Sequence, residues 1–282
     1  MKRDIDWIDN QVIYQIMVDR FNGKWRYAEN GNHFMGGTLE GINRKLEYIR
    51  DMGFTAIWLS PVNCTLNYHG YHVTDFMNID SHFGSMDDFK RLIDRIHELG
   101  MKVIVDFVPN HCSVEHPYFK QARDNVNSKY RDWFYFDDSK IGYKCFLQYE
   151  ELAKINLDNP ETADYMIDVA RFYCRCGVDG LRIDHAVGPS FEFWKKAMGQ
   201  LKIEFPDRIF FGEIWAYGIR KKYFNTLHFK SLWRKIRYYL FSINQECWQR
   251  DYVGTLDGVL DFEYRSLLLK EIEKGQRIMN NK

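Results

Sequence analysis

The chain has 282 residues, with 39 basic and 39 acidic side chains and an aromatic content of 17%. Balanced charge argues against a polyanionic partner such as nucleic acid. No apolar leader follows Met1-Lys2-Arg3 and no apolar run is long enough to span a bilayer, so no membrane partner is expected. The length suits one large α/β domain or two small ones. Six cysteines stand at positions 64, 112, 145, 174, 176 and 247 without zinc-site spacing, which predicts reduced thiols and a cytoplasmic setting.

The first strand-like run is Gln11-Val12-Ile13-Tyr14-Gln15-Ile16-Met17-Val18, ending at Asp19-Arg20-Phe21. A loop rich in glycine and asparagine leads to Gly36-Gly37. Leu39, Ile42, Leu46, Ile49 and Met52 then recur at helical spacing until Gly53 stops the helix. Phe54 to Pro61 is apolar nearly throughout, as a parallel strand covered on both faces should be. Ser85 and Asp88 form a capping box for a helix with Phe89, Leu92, Ile93, Ile96 and Leu99 on its buried stripe, and Gly100 ends it. Met101 to Val108 is a third strand, running into Pro109-Asn110-His111.

The strand centres Ile13, Ile57 and Ile104 lie 44 and 47 residues apart, the rhythm of repeated right-handed βαβ units. The next strand, around Ile183, comes 79 residues after Ile104, so an insertion follows the third strand. Residues 111–158 are read as a small inserted domain B, and residues 1–110 with 159–282 as the barrel domain. Asn159-Pro160 starts a helix, a capping residue followed by proline, with Met166, Val169, Ala170 and Tyr173 inward. Fifth and sixth strands are expected at Arg208 to Trp215 and Gly258 to Glu263, and a last helix at Leu267 to Ile278. The expected fold is therefore α/β, a TIM (β/α)₈-type barrel carried to about six strand–helix units.

Gly180-Leu181-Arg182-Ile183-Asp184 places an arginine and an aspartate on the same side of an otherwise apolar strand. Burying them requires that each meet the other or a polar cavity, so a core ion pair and a site are both open readings. The other strand ends decide between them. They carry Asp106, Asn110 and His111 on the third strand and Glu213 on the fifth, and chemistry in barrels of this kind sits at the C-terminal strand ends. Two carboxyls on neighbouring strands, Asp184 and Glu213, are the equipment of glycoside hydrolysis. Arg182 beside Asp184 would keep it ionised, and the apolar neighbours Gly212, Ile214 and Trp215 would favour a protonated Glu213.

Several segments together resemble the α-amylase superfamily of glycoside hydrolases. Asp106-Phe107-Val108-Pro109-Asn110-His111 matches its first motif, Gly180-Leu181-Arg182-Ile183-Asp184 its second, and Phe211-Gly212-Glu213-Ile214-Trp215 its third. Tyr68-His69-Gly70-Tyr71 is similar to the segment after the second strand, and Ile13-Tyr14-Gln15-Ile16 with Asp19-Arg20-Phe21 fits the family's opening. Leu152-Ala153-Lys154-Ile155-Asn156 resembles the fifth motif in its lysine-asparagine form, typical of the cyclomaltodextrinase and neopullulanase branch. The resemblance implies that Asp184 is the catalytic nucleophile and Glu213 the general acid/base. It implies that Tyr71, Asp106, His111 and Arg182 bind the sugar at the cleavage subsite. The implied substrate is an α-1,4-linked glucan or maltooligosaccharide, cleaved with retention.

The chain departs from the family pattern in three ways. Val187 and Gly188 stand where a lysine-histidine pair is common. Lys154 and Thr38 stand where calcium-dependent amylases carry aspartates, so calcium, with Asn110 as its candidate ligand, is disfavoured and no cofactor is expected. No Asn-His-Asp triplet follows Glu213, and the sequence ends near the close of a sixth unit. That last departure leaves three expectations: a shortened hydrolase, a homo-oligomer in which another chain completes the barrel, or a non-hydrolytic glycan-binding protein. A transglycosylase or isomerase on the same scaffold is the alternative chemistry.

Overall fold

The computed structural model describes residues 3–23, 31–214 and 249–280. Trp215 and Cys247, both singled out from the sequence, lie outside the described residues. In chain order the strands are β1 (Ile13–Ile16), β2 (Ala56–Leu59), β3 (Asn63–Thr65), β4 (Val73–Ile79), β5 (Lys102–Phe107), β6 (His111–Ser113), β7 (Cys145–Phe146), β8 (Tyr149–Lys154), β9 (Gly180–Ile183), β10 (Ile209–Gly212) and β11 (Gly258–Val259). The helices are α1 (Leu39–Asn43), α2 (Leu46–Asp51), α3 (Met86–Glu98), α4 (Pro117–Asp124), α5 (Pro160–Arg175), α6 (Phe191–Glu204) and α7 (Phe262–Asn280).

All the strands expected to be buried enter one six-stranded sheet, ordered β1-β2-β5-β9-β10-β11, and every pair in it is parallel. Period-two alternation divides the side chains between the two faces of this sheet. Ile57, Leu59, Val103, Val105, Leu181 and Ile183 join the main core with Phe89, Met166 and Trp194 from the helices. Ile104, Ile209 and Phe211 form a separate small core on the other face, with Trp58, Ile13 and Leu260 packed against it. Fully burying an Ile or Leu contributes about 1.5–3 kcal/mol, so the two cores hold the strands in fixed register. Gly180 is required by that packing, because a Cβ there would lie 2.4 Å from Ile209 Cγ2 and 3.0 Å from its carbonyl oxygen.

The caps read from the sequence are in place. Ser85 and Asp88 exchange their hydrogen bonds at the start of α3, and Asn159 caps α5 with Pro160 in its first turn. Two expectations change, and one hairpin was not expected. The helix expected over residues 39–52 is broken at Arg44-Lys45 into α1 and α2, where Lys45 leaves helical geometry. The sixth strand is cut to two residues because Asp261 accepts a hydrogen bond from Tyr264 N and so opens α7. The β3–β4 hairpin had no strong sequence signal, since β4 alternates without a turn dipeptide before it.

Between β5 and α5 the chain builds a separate antiparallel sheet ordered β6-β8-β7, with α4 and a short 3₁₀ turn at Arg131–Trp133 beside it. Its register sets His111 opposite Lys154. Residues 111–154 thereby stand over the C-terminal end of β5.

Candidate active site

The strand register assembles the polar residues. Asp106 on β5 is the direct partner of Arg182 on β9, and Phe211 on β10 is Arg182's partner on the other side. Asp184 and Glu213 each lie just past a strand end, so three neighbouring strands deliver their acids around one guanidinium. Arg182 Nη1 donates to Asp106 Oδ1 at 2.8 Å and to Asp184 Oδ1 at 3.0 Å. Its Nη2 lies 3.0 Å from Glu213 Oε1. Tyr71 OH donates to the second oxygen of Asp106 at 2.8 Å. Trp58 on β2 forms the floor, with the guanidinium carbon 5.2 Å from its ring centroid. Charge-assisted bonds of this kind fix side-chain geometry more firmly than neutral ones.

Tyr71 reaches the cluster through a turn that only glycine fits. Gly70 has φ +87°, and a Cβ on it would lie 2.3 Å from the Pro61 carbonyl oxygen. The cluster opens into a cleft of about 660 Å³ whose lining includes Tyr71, His111, Phe146, Tyr149, Asp184 and Glu213. Phe146 stacks on His111 at 4.6 Å and lies nearly parallel to Tyr149 at 6.1 Å, giving the cleft one aromatic wall. His69 stacks on Tyr71 at 5.7 Å on another side.

Burial governs the electrostatics. It pushes the Asp184 carboxyl up to about 8, with Arg182 opposing and the charges of Glu213 and Asp106 reinforcing the shift. Burial raises Asp106 as well, against the pull of Arg182 and Tyr71. One guanidinium faces three carboxyls, so full ionisation would leave two uncompensated charges in a largely buried cluster. The cluster as a whole therefore retains a proton into the neutral range. His111 is pushed down to about 3 by burial and by the positive charge of Lys154, which keeps it neutral. The apolar setting expected around Glu213 is not what surrounds it. Its carboxylate meets Arg182 and the backbone N–H of His185 at 3.2 Å, and the side chain is 24% exposed against 11% for Asp184.

The structure brings Tyr71, Asp106, Arg182, Asp184 and Glu213 into one hydrogen-bonded cluster. His111 lines the same cleft, but its ring meets Asn110 Nδ2 at 3.2 Å and stacks on Phe146 instead of touching the carboxyls. Asn110 is turned away from the cleft. Its Oδ1 accepts from Lys154 Nζ at 2.7 Å, and the same ammonium donates to Gly188 O at 3.1 Å. Calcium takes six to eight oxygen ligands, commonly carboxylates. Here the oxygen assigned to it faces a buried ammonium, so these residues do not fit calcium. Sequence reading missed Trp58, Phe146 and His185. Trp58 was one apolar residue in an apolar run, and Phe146 sits in an insert without periodicity. Only the position of His185 directly after Asp184 could have drawn attention to it.

Acidic strand ends gathered over a parallel sheet, beneath an aromatic-walled cleft, define a class: barrel-type α/β proteins with a polar site at the C-terminal strand ends. Comparison with known proteins narrows it. Residues 15–145 match the family model described as the α-amylase catalytic domain. The chain is 34% identical over 275 residues to α-amylase 2 of Dictyoglomus thermophilum, covering 96% of this chain and 43% of that protein. It is 34% identical over 231 residues to neopullulanase 2 of Thermoactinomyces vulgaris, covering 74% and 40%. Among solved structures, the maltogenic amylase from S. marinus superposes with a TM-score of 0.68 at 28% identity, over 73% of this chain and 36% of that one. The cyclic α-maltosyl-(1→6)-maltose hydrolase from Arthrobacter globiformis gives 0.69 at 27% identity, over 76% and 53%. Over residues 15–145 the chain is thus recognised as the catalytic domain of the α-amylase family. It spans about two fifths of the length of the curated relatives it matches.

Proposed function

We propose that the protein is a retaining glycoside hydrolase acting on α-1,4-linked glucans or maltooligosaccharides, with Asp184 as nucleophile and Glu213 as general acid/base. One observation carries this reading: Arg182 holds both carboxyls at once, on opposite nitrogens of a single guanidinium, at the floor of an open cleft. The reactive form is the one in which the proton shared by the cluster lies on Glu213 and not on Asp184: the Asp184 carboxylate then attacks the anomeric carbon while that proton passes from Glu213 to the departing glycosidic oxygen. A glycosyl ester on Asp184 results. Glu213, now ionised, takes a proton from water as that water attacks the same carbon, and the ester breaks with retained configuration. Arg182 gives Asp184 a countercharge throughout, and Asp106, braced by Tyr71, completes the grip on the sugar. Tyr71, Phe146 and Tyr149 offer flat apolar faces to pyranose rings, and His111 offers a neutral imidazole edge.

The insert at residues 111–158 acts as a domain B that supplies one wall of the cleft. A cytoplasmic setting is supported by the absence of pairing among the described cysteines and by likeness to the intracellular maltogenic amylase of Bacillus subtilis. No helix among the described residues is long and apolar enough to cross a membrane.

A second reading is glycan binding without turnover, for which the aromatic wall of the cleft would serve as a sugar platform. Release of reducing sugar from maltooligosaccharides, measured for the protein and for Asp184→Asn and Glu213→Gln, separates the readings. Hydrolysis that both substitutions abolish is the expected result, and equal activity in all three rejects it. Calorimetric binding without product identifies the second reading, and chromatography of the products distinguishes hydrolysis from transglycosylation or isomerisation.

A further inference from the structure

His185 follows Asp184 directly and lies in the left-handed region at φ +42°, one of three non-glycine residues to do so among the described residues. For a side chain without the local hydrogen bonding of asparagine or aspartate, that conformation is strained. Something must hold it there. The imidazole is 2% exposed and packs edge-to-face on Phe146, with centroids 4.7 Å apart. On its other side is Gly188, where a Cβ would come within 2.7 Å of His185 Cδ2, and Gly188 N donates to the His185 carbonyl at 2.9 Å. The next residue, Ala186, donates its N–H to the Glu213 carbonyl at 3.0 Å. The ring is thus wedged between the insert and its own turn, and the turn is pinned to the end of β10.

We propose that His185 is a positioning residue: its ring, clamped by Phe146, holds a left-handed turn that aims the His185 backbone N–H at Glu213 Oε2. The proposal rests on the reading of Glu213 as the acid/base. Arg182 engages Oε1 at 3.0 Å and the His185 N–H engages Oε2 at 3.2 Å, so the carboxyl plane is fixed at both oxygens, from β9 and from the turn that follows it. A carboxylate has about four lone-pair directions, and two remain for a proton and for substrate. The imidazole itself carries no proton in the reaction. Burial and the nearby charges of Lys154, His111 and Arg182 keep it neutral, and no bond joins its ring to a carboxyl. What the site uses is the backbone it imposes. Phe146 thereby links the insert to the acid/base carboxyl, although the two are on different sheets.

The test compares His185→Gly, His185→Asn and His185→Val. Glycine and asparagine accept the left-handed turn, whereas β-branched valine opposes it. With selective ¹⁵N labelling, the amide proton of residue 185 is followed against pH, where Arg182, Asp106, Asp184 and Glu213 are the charged groups facing it. The amide should titrate with the cluster in the parent and in the glycine and asparagine variants. It should stop doing so in Glu213→Gln and in His185→Val. For kcat on maltotriose, the expected order is parent, then glycine and asparagine, with valine lowest by about tenfold or more and KM little changed. If ring packing were the whole role, the glycine variant, which loses the most buried volume, would be worst in both kcat and Tm. An amide in the parent that ignores the Glu213→Gln substitution overturns the proposal. Because the amide is read without turnover, an inactive parent with a titrating amide would reject the hydrolase reading and leave the positioning role standing.

Discussion

At the scale of single residues, Arg182 is the centre of the carboxyl cluster and Asp184 bears its energetic cost. The folded-state pKa of Asp184 is raised above its unfolded value. The folded protein therefore holds a proton that the unfolded chain releases as pH rises from about 4 to about 8, and folding stability declines over that window. Asparagine resembles the protonated acid and removes this loss. Asp184→Asn should raise unfolding free energy by about 1–3 kcal/mol at pH 8 and by much less at pH 5, measured by urea titration. A gain independent of pH would show that the destabilisation lies elsewhere. Lys154 has the opposite sign. Burial lowers its ammonium to about 7, so the unfolded chain binds the extra proton between about pH 7 and 10.5, and stability rises across that range. In Lys154→Met this rise should flatten, while Asn110 Oδ1 and Gly188 O lose their donor. An unchanged slope of Tm against pH would contradict the assignment.

At the scale of elements, the register of β5, β9 and β10 turns separate acids into one cluster, and Gly180 is the tightest point of that register. Gly180→Ala forces a Cβ against Ile209 and Ile104 and should destabilise by about 1–3 kcal/mol. Thermal unfolding would show this, and an unchanged Tm would mean that β9 and β10 can separate at no cost. Much of this level was legible in the sequence. Continuous apolar runs such as Phe54 to Leu59 have no competing pattern, and the strand-end acids follow from where those runs stop. The helix caps at Ser85 and Asn159 were legible for the same reason, since capping is local chemistry. Contacts between distant segments were not. Trp58 beneath Arg182, Phe146 against His185 and the Lys154 bond to Gly188 each depend on tertiary approach that periodicity does not encode. The surroundings of Glu213 were misread because its sequence neighbours are apolar while its spatial neighbours are Arg182 and a backbone N–H.

At the scale of the whole molecule, balanced charge meets exposed apolar surface. The sequence pI is about 7.1, and Tyr264, Leu267, Leu268, Leu269 and Ile272 on α7 are exposed. Near neutral pH no net charge opposes contact between such faces. Light scattering should therefore show self-association strongest near pH 7 and weakened at pH 9, and a pH-independent size would reject this account. The sheet also sets an order in time. Asp106 and Arg182 are separated by 76 residues, and Arg182 supplies the countercharge for the buried Asp106. At about 5–20 residues per second, the ribosome exposes the aspartate about 4–15 s before its arginine emerges. During that interval β1, β2 and β5 can pair, but their inner face cannot dry, because an uncompensated carboxylate stands on it. Synthesis itself thus delays closure of the candidate site's floor until the strand bearing Arg182 has been made.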